Sequence, residues 1–179
     1  INLGVTASTF SKEDLNNAMW SSLTDQMYIG NWNGKSLSAS LDVLAHEFTH
    51  GVVEFTANFA STAKKEDRNK AFETGALNEG YADVLGHLIE GKNWTMAESN
   101  ETLRSAVNPE SYKNTSVKGG EHYYPDSYLT NGKTLEQFLK DNNLTYVTDH
   151  DKGGVHTNSN VVSHAAYLMY ESGAFSSRE

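Results

Sequence analysis

The stretch SLDVLAHEFTHGVVEF, residues 40–55, places two histidines four residues apart with a glutamate directly after the first. Leu41, Leu44, Phe48, Val52 and Phe55 recur at three- and four-residue steps, which predicts an amphipathic helix starting near Ser40 with these five as its buried stripe. Residues four apart on a helix sit one above the other, so His46 and His50 can bind one Zn²⁺ while Glu47 points to the side where a water would lie. An ordinary helix carrying two surface histidines gives the same pattern. A third ligand decides between them.

A second helix is predicted from about Gly75 to Glu90, burying Leu77, Tyr81, Val84, Leu85 and Leu88 and stopping at Gly91. Glu79, Asp83 and Glu90 follow one another at steps of four and seven, an acidic stripe that matches Asp42, His46 and His50 on the first helix. If the two helices pack antiparallel, Glu79 falls beside His50, Asp83 beside His46 and Glu90 near Asp42. Each four-residue step advances both helices by about 6 Å, so the register holds along the contact. Glu79 then completes a His₂Glu zinc site with a fourth position open, the catalytic rather than the structural arrangement. Asp83 can accept the other ring N–H of His46 and fix its tautomer. A solvated acidic helix face would not require this agreement.

The 179 residues suffice for one domain with a core or for part of a larger enzyme. A formal net charge of −9 argues against a nucleic-acid or anionic-membrane partner. No apolar run is long enough to span a bilayer, and the first residues, INLGVTASTFSKEDL, do not read as an intact signal peptide. There is no cysteine, so any metal must be held by His, Asp and Glu. Residues 17–34 read as short strands with turns, and 61–74 as a charged excursion between helices. Residues 91–133 look mostly irregular, 134–143 form a short helix with a Thr134/Gln137 capping box, and another helix begins near Ser159. His156, following Gly-Gly, reads on its own as a turn residue. The fold class is α+β, mainly helical, with a minor β part at the N-terminal end.

LDVLAHEFTHGVVEFTA, GALNEGYADVLG, GGVHTNS and NNAMW (16–20) together resemble the thermolysin-like family of zinc neutral metallopeptidases. Thermolysin is itself the usual illustration of a His₂Glu zinc site, so that ligand class comes with the resemblance as well as from the helix register. The resemblance implies a zincin-type active-site helix pair within a chain truncated at both ends relative to the family. Residues 1–39 would be the tail of an N-terminal β-rich subdomain, and 40–179 the active-site helix with an incomplete helical C-terminal subdomain. It also implies His46, His50 and Glu79 as zinc ligands and Glu47 as the catalytic carboxylate. His156 would hydrogen-bond the tetrahedral intermediate, Asp151 would orient it, and Arg104 would steady a substrate carbonyl. Asn17 and Ala18 match the edge that pairs with the substrate backbone. Leu37, Val43, Met96 and Leu103 match the walls of a primed-side pocket, although four apolar residues are also what plain core packing provides.

Two departures stand out. The interval from His50 to Glu79 is longer than the family's, around KKEDRN (64–69), and holds no tyrosine where the family supplies one to the intermediate. A further insertion lies around Thr134 to Asn143. The expected function is that of a secreted, extracellular zinc endopeptidase, a monomer acting on peptides or proteins. It would use a zinc-activated water with Glu47 as general base and prefer a bulky apolar residue after the cleaved bond. The alternative is an inactive zinc-binding fragment that only recognises peptide. At the other end of the helix pair, Asp42 and Glu90 would repel unless a cation lay between them, and Glu98 and Asn93 offer further oxygen ligands suited to Ca²⁺. The resemblance implies a double calcium site using Asp42, Glu90 and Glu98. Because Asn93 and Thr95 stand where the family commonly has acids, a single ion is expected here. An acidic patch neutralised by a lysine or by water remains the other reading.

Overall fold

The computed structural model describes residues 16–32, 34–59, 68–100, 102–111, 113–114, 122–123 and 151–174. It opens with two hairpins. Strand β1 (Ala18–Ser21) pairs antiparallel with β2 (Gln26–Ile29), Ala18 opposite Ile29 and Ser21 opposite Gln26. Strand β3 (Asn31–Trp32) pairs with β4 (Lys35–Ser36) across a turn in which Gly34 takes the left-handed φ of 78°. A 3₁₀ turn, Leu37–Ala39, leads through Ser40 into α1 (Leu41–Phe55). Helix α2 (Arg68–Glu90) is followed by β5 (Thr95–Met96) paired with β6 (Arg104–Ser105) and by β7 (Lys113–Asn114) paired with β8 (His122–Tyr123). Helix α3 (Asp151–Glu171) completes the described chain. Helix α2 lies in the middle, packed against both α1 and α3. The chain is α+β and mainly helical, and no described helix is long and apolar enough to cross a membrane.

Four expectations change. The stripe of Leu41, Leu44, Phe48, Val52 and Phe55 is not the buried face of α1: Phe48 is 53% and Phe55 67% exposed, Leu41 and Val52 are exposed, and Leu44 is half-buried. The helix instead buries Asp42, Val43, Ala45, His46, Glu47, Thr49, Gly51 and Val53. Hydrophobic periodicity locates an apolar stripe but not the neighbour, and here the polar side of the helix carries the groups that α2 satisfies. The same holds for α2, where Tyr81 is exposed and Leu77, Val84, Leu85 and Leu88 are half-buried, while Ala76, Gly80, Ala82, Asp83, Gly86 and His87 are buried. Small residues line this face because the helices run close together. A Cβ on Gly80 would lie 2.5 Å from Cβ of Val162 in α3, and one on Gly86 would lie 2.8 Å from the Asp42 carbonyl oxygen in α1. That close approach brings the α2 carboxylates over the α1 imidazoles.

Helix boundaries move as well. Helix α2 begins at Arg68 rather than near Gly75, since RNKAFET (68–74) is rich in good helix formers and belongs to the helix, not to the charged excursion. It ends as expected, with Gly91 at φ 71° and its N–H donating to the His87 carbonyl at 2.8 Å. Helix α3 begins at Asp151, eight residues before Ser159, so Gly153, Gly154 and His156 are helical. Two glycines cost a helix about 1 kcal/mol each, which packing can offset. Val155 is buried, with its Cγ1 2.6 Å from where a Cβ on Gly75 would sit. Within α3 the buried Ser159 and Ser163 hydroxyls donate to the backbone carbonyls of His156 and Ser159, so these small polar residues meet α2 without unpaired groups. The helix expected at 134–143 lies outside the described residues.

His87 on α2 carries a pH dependence. It is 3% exposed, stacks on Trp94 with ring centroids 5.4 Å apart, and its Nδ1 has no hydrogen-bond partner. Burial, against the pull of the Asp83 charge, pushes this imidazole down to about 4. The folded chain therefore keeps His87 neutral where the unfolded chain, titrating near 6.5, already binds a proton. The resulting stability is fully present above 6.5 and falls, by about 3 kcal/mol in all, as pH drops toward 4. His87→Phe keeps a ring against Trp94 and cannot titrate, so urea midpoints at pH 7.5 and pH 4.5 should differ less for the variant than for the parent. Equal differences would show that His87 is not responsible.

Candidate metal centre

Where α2 crosses α1, three ligand atoms converge. Nε2 of His46 and Nε2 of His50 lie 3.0 Å apart, and Oε2 of Glu79 is 3.2 Å from the first and 3.5 Å from the second. The outer nitrogens fix the tautomers. Nδ1 of His46 donates to Oδ1 of Asp83 at 2.8 Å, and Nδ1 of His50 to Oδ1 of Asn78 at 3.1 Å. With both protons on the far nitrogens, two imidazole lone pairs and a carboxylate oxygen face one another in a space largely closed to water. With the protons so placed, the buried Oε2 of Glu79 accepts no hydrogen bond, whereas a protonated His46 would donate to it. Such a set is unfavourable unless a proton or a cation sits among its members. Burial disfavours a charged His46, yet its hydrogen bonds to Asp83 and Glu79 outweigh that and push its pKa up to about 10. Glu79, in spite of burial, is held well below the usual carboxylate range by hydrogen bonds to the two histidines. One oxygen and two imidazole nitrogens of this kind fit Zn²⁺, which binds such donors about 2.0–2.2 Å away and would draw them inward.

The surrounding side chains hold this set in place. Asp83 is 1% exposed and bridges His46 to Arg104, whose Nε and Nη2 donate to its two oxygens at 2.7 and 2.5 Å. Although burial raises the Asp83 carboxyl, the Arg104 charge and the His46 hydrogen bond keep it well below the usual carboxylate range. Glu47 is buried beside His46 and adds to the negative field that favours its protonation. His156 lies on α3, its side chain partly open to solvent, with Nε2 3.3 Å from Oε2 of Glu79. Three helices thus meet at one carboxylate oxygen. Asp151 opens α3, and its side chain lies outside the described residues.

Asn17 is exposed at the start of β1, where its carbonyl accepts from the Gly30 N–H at 2.9 Å, and Ala18 is buried. Leu37, Val43 and Met96 are buried together with Ala18 and Ala97 in one packed apolar cluster, and Leu103 lies against it. The four wall residues therefore meet, in a cluster of core-like burial. At the far end of the helix pair the expected second group also assembles: carboxylate oxygens of Asp42, Glu90 and Glu98 lie within 4.8 Å of one another. Burial, followed by repulsion from Glu90 and Glu98, raises the Asp42 carboxyl, even though the Val43 and Ala97 backbone N–H groups both donate to it.

Two family models match the chain. One described as the thermolysin metallopeptidase alpha-helical domain covers residues 69–178, and one described as the thermolysin metallopeptidase catalytic domain covers residues 2–54. The chain belongs to the thermolysin metallopeptidase family. It is 36% identical over 159 residues to Neutral protease NprE of Bacillus pumilus, an alignment covering 85% of this chain and 43% of the relative. It is equally similar to Bacillolysin of Bacillus subtilis strain 168, with 85% of this chain and 25% of the relative covered. With an Extracellular elastase of Staphylococcus epidermidis it shares 33% identity over 166 residues, 87% of this chain and 26% of the relative. It therefore spans from about a quarter to under half of the length of these relatives. For a thermolysin metallopeptidase the register of α1 against α2 was readable from sequence, but three partners were not. Asn78 orients His50, Arg104 clamps Asp83, and Lys92 reaches Glu90. Asn78 had the best local signal, being the residue directly before Glu79 on the same helix. Arg104 and Lys92 depend on loops whose path no periodicity records.

Proposed function

We propose that this chain is the metal-holding part of a secreted zinc endopeptidase, with His46, His50 and Glu79 as ligands. The observation that carries the reading is the convergence of two tautomer-fixed imidazole nitrogens and the unpartnered Glu79 oxygen. Zinc bound there would polarise a peptide carbonyl and acidify a water. Glu47, buried next to His46, is the general base that takes a proton from the attacking water and passes it to the leaving amine. His156, at the rim, donates to the carbonyl oxygen as charge develops on it. Asn17 and Ala18 present backbone for an extended peptide to pair with, and Arg104, held on Asp83, steadies a carbonyl of the substrate. The apolar cluster of Leu37, Val43, Met96 and Leu103 supports a preference for a bulky apolar residue after the cleaved bond. Names of the relatives, Extracellular elastase among them, support secretion and a peptide substrate.

The test is zinc analysis paired with a peptide-cleavage assay on the same preparation. About one equivalent of zinc, with cleavage abolished by a chelator and restored by zinc, is the expected result. One equivalent without cleavage would favour the peptide-recognition alternative, and no zinc would end the reading.

The Asp42, Glu90 and Glu98 group supports a calcium site in the same protein. The Glu90 side chain is only 1% exposed, and its buried Oε2 has no hydrogen-bond partner. A carboxylate oxygen buried beside two more carboxylates is an oxygen ligand set suited to Ca²⁺.

A further inference from the structure

The residues around Asp42, Glu90 and Glu98 do not fit the two calcium ions that the family pattern implies. Oε1 of Glu90 accepts from Nζ of Lys92 at 2.9 Å, and Lys92 comes from the turn directly after α2. Its side chain is 64% exposed, so the ammonium caps the group from the solvent side. Glu98 is engaged as well. Nδ2 of Asn93 donates to Oε1 at 2.7 Å, and the Thr95 hydroxyl lies 3.4 Å from Oε2. Asn93 in turn turns its own oxygen away, accepting from the Thr95 N–H at 2.7 Å and the Thr95 hydroxyl at 2.5 Å. Oε1 of Glu90 and Oε1 of Glu98 thus each carry a donor hydrogen where an ion would need bare lone pairs, while the one hydroxyl hydrogen of Thr95 goes to Asn93. The buried Oε2 of Glu90 lacks a donor, in a group whose Asp42, Glu90 and Glu98 oxygens lie within 4.8 Å of one another.

We propose that this site takes one divalent cation on the buried side, between Asp42, Glu90 and Glu98, and that Lys92 and Asn93 occupy the place of a second. The proposal rests on the reading of the group as a calcium site. Charge supports it. Three carboxylates are neutralised by one Ca²⁺ together with one ammonium, whereas a second Ca²⁺ beside the ammonium would leave the site doubly positive. Asn93 compounds this, because an amide supplies one acceptor oxygen where an aspartate would supply two and a charge. Lys92 is a tethered cation: it screens Glu90 at any calcium concentration, so the site keeps part of its neutralisation when the divalent ion leaves.

Calorimetric titration with calcium chloride on the full chain tests this, using the parent, Lys92→Met, and Lys92→Met combined with Asn93→Asp. The parent should bind one equivalent. Lys92→Met should bind that one about tenfold tighter, since a unit charge a few ångströms from the ion is removed at the surface. The double variant should take up a second equivalent. Circular dichroism in calcium-free buffer checks that all three chains are folded, and both substituted side chains are themselves exposed. Two equivalents in the parent would overturn the proposal, as would a double variant that binds one ion with unchanged affinity. No uptake by any of the three chains would overturn the calcium reading itself and this proposal with it.

Discussion

Glu47→Gln should lower the rate of peptide hydrolysis about a thousandfold while the chain still binds one equivalent of zinc. The two side chains have nearly the same shape, so the buried place beside His46 stays filled. His46, His50 and Glu79, with the Asp83 and Asn78 bonds that orient the rings, are untouched. What is lost is the charge that the proposed base needs to take the proton of the attacking water and return it to the leaving amine. Positioned general acid–base catalysis contributes about 10²–10⁴-fold, and a thousandfold loss corresponds to about 4 kcal/mol of barrier. The fall should appear in kcat, with KM changed little, since Glu47 acts on the proton rather than on the bound peptide. Near-normal cleavage by a folded, zinc-loaded Glu47→Gln chain would exclude Glu47 as the base.

The legible part of this molecule was a matter of register. Asp42, His46 and His50 repeat at four-residue steps, and so do Glu79 and Asp83, so only one antiparallel match sets both acids against imidazoles. The structure makes that match, His46 to Asp83 and both histidines to Glu79. Burial was not legible in the same manner. Leu41, Phe48, Val52 and Phe55 have the spacing of a core stripe and are exposed, because α2 approaches α1 on the side where imidazoles and carboxylates satisfy one another. Nor could spacing show that Gly80 and Gly86 set the distance between helices, since a glycine in a helix reads first as a weak helix former. The start of α3 was missed for a related reason. Gly153-Gly154 signals a turn locally, and the packing of Val155 on α2, which overrides it, is a long-range contact.

The His46–Asp83–Arg104 chain supplies the second large effect. Asp83→Asn should lower zinc affinity by about 10–100-fold and destabilise the chain by about 3–5 kcal/mol. Both oxygens of Asp83 accept from Arg104, and one also accepts from His46. An asparagine has one acceptor oxygen and an N–H₂ that donates, so it carries no charge and sets a donor against the Nε–H of Arg104. Arg104 is buried and remains charged, and the loss of the carboxylate charge beside it accounts for the loss of stability. The loss of zinc affinity has another origin. Without an anionic acceptor at Nδ1, His46 is a weaker base at Nε2 and its ring is no longer held toward Glu79. The two losses can therefore be separated. In Asp83→Asn combined with Arg104→Met the buried guanidinium is gone along with its carboxylate, so much of the stability should return, measured by urea unfolding of the zinc-free chains. Zinc affinity, measured by competition with a chelator, should stay low because His46 still lacks its carboxylate. If the second substitution restored zinc affinity along with stability, Asp83 would matter to the metal only through the integrity of the fold, and its role as the positioning residue of His46 would have to be abandoned.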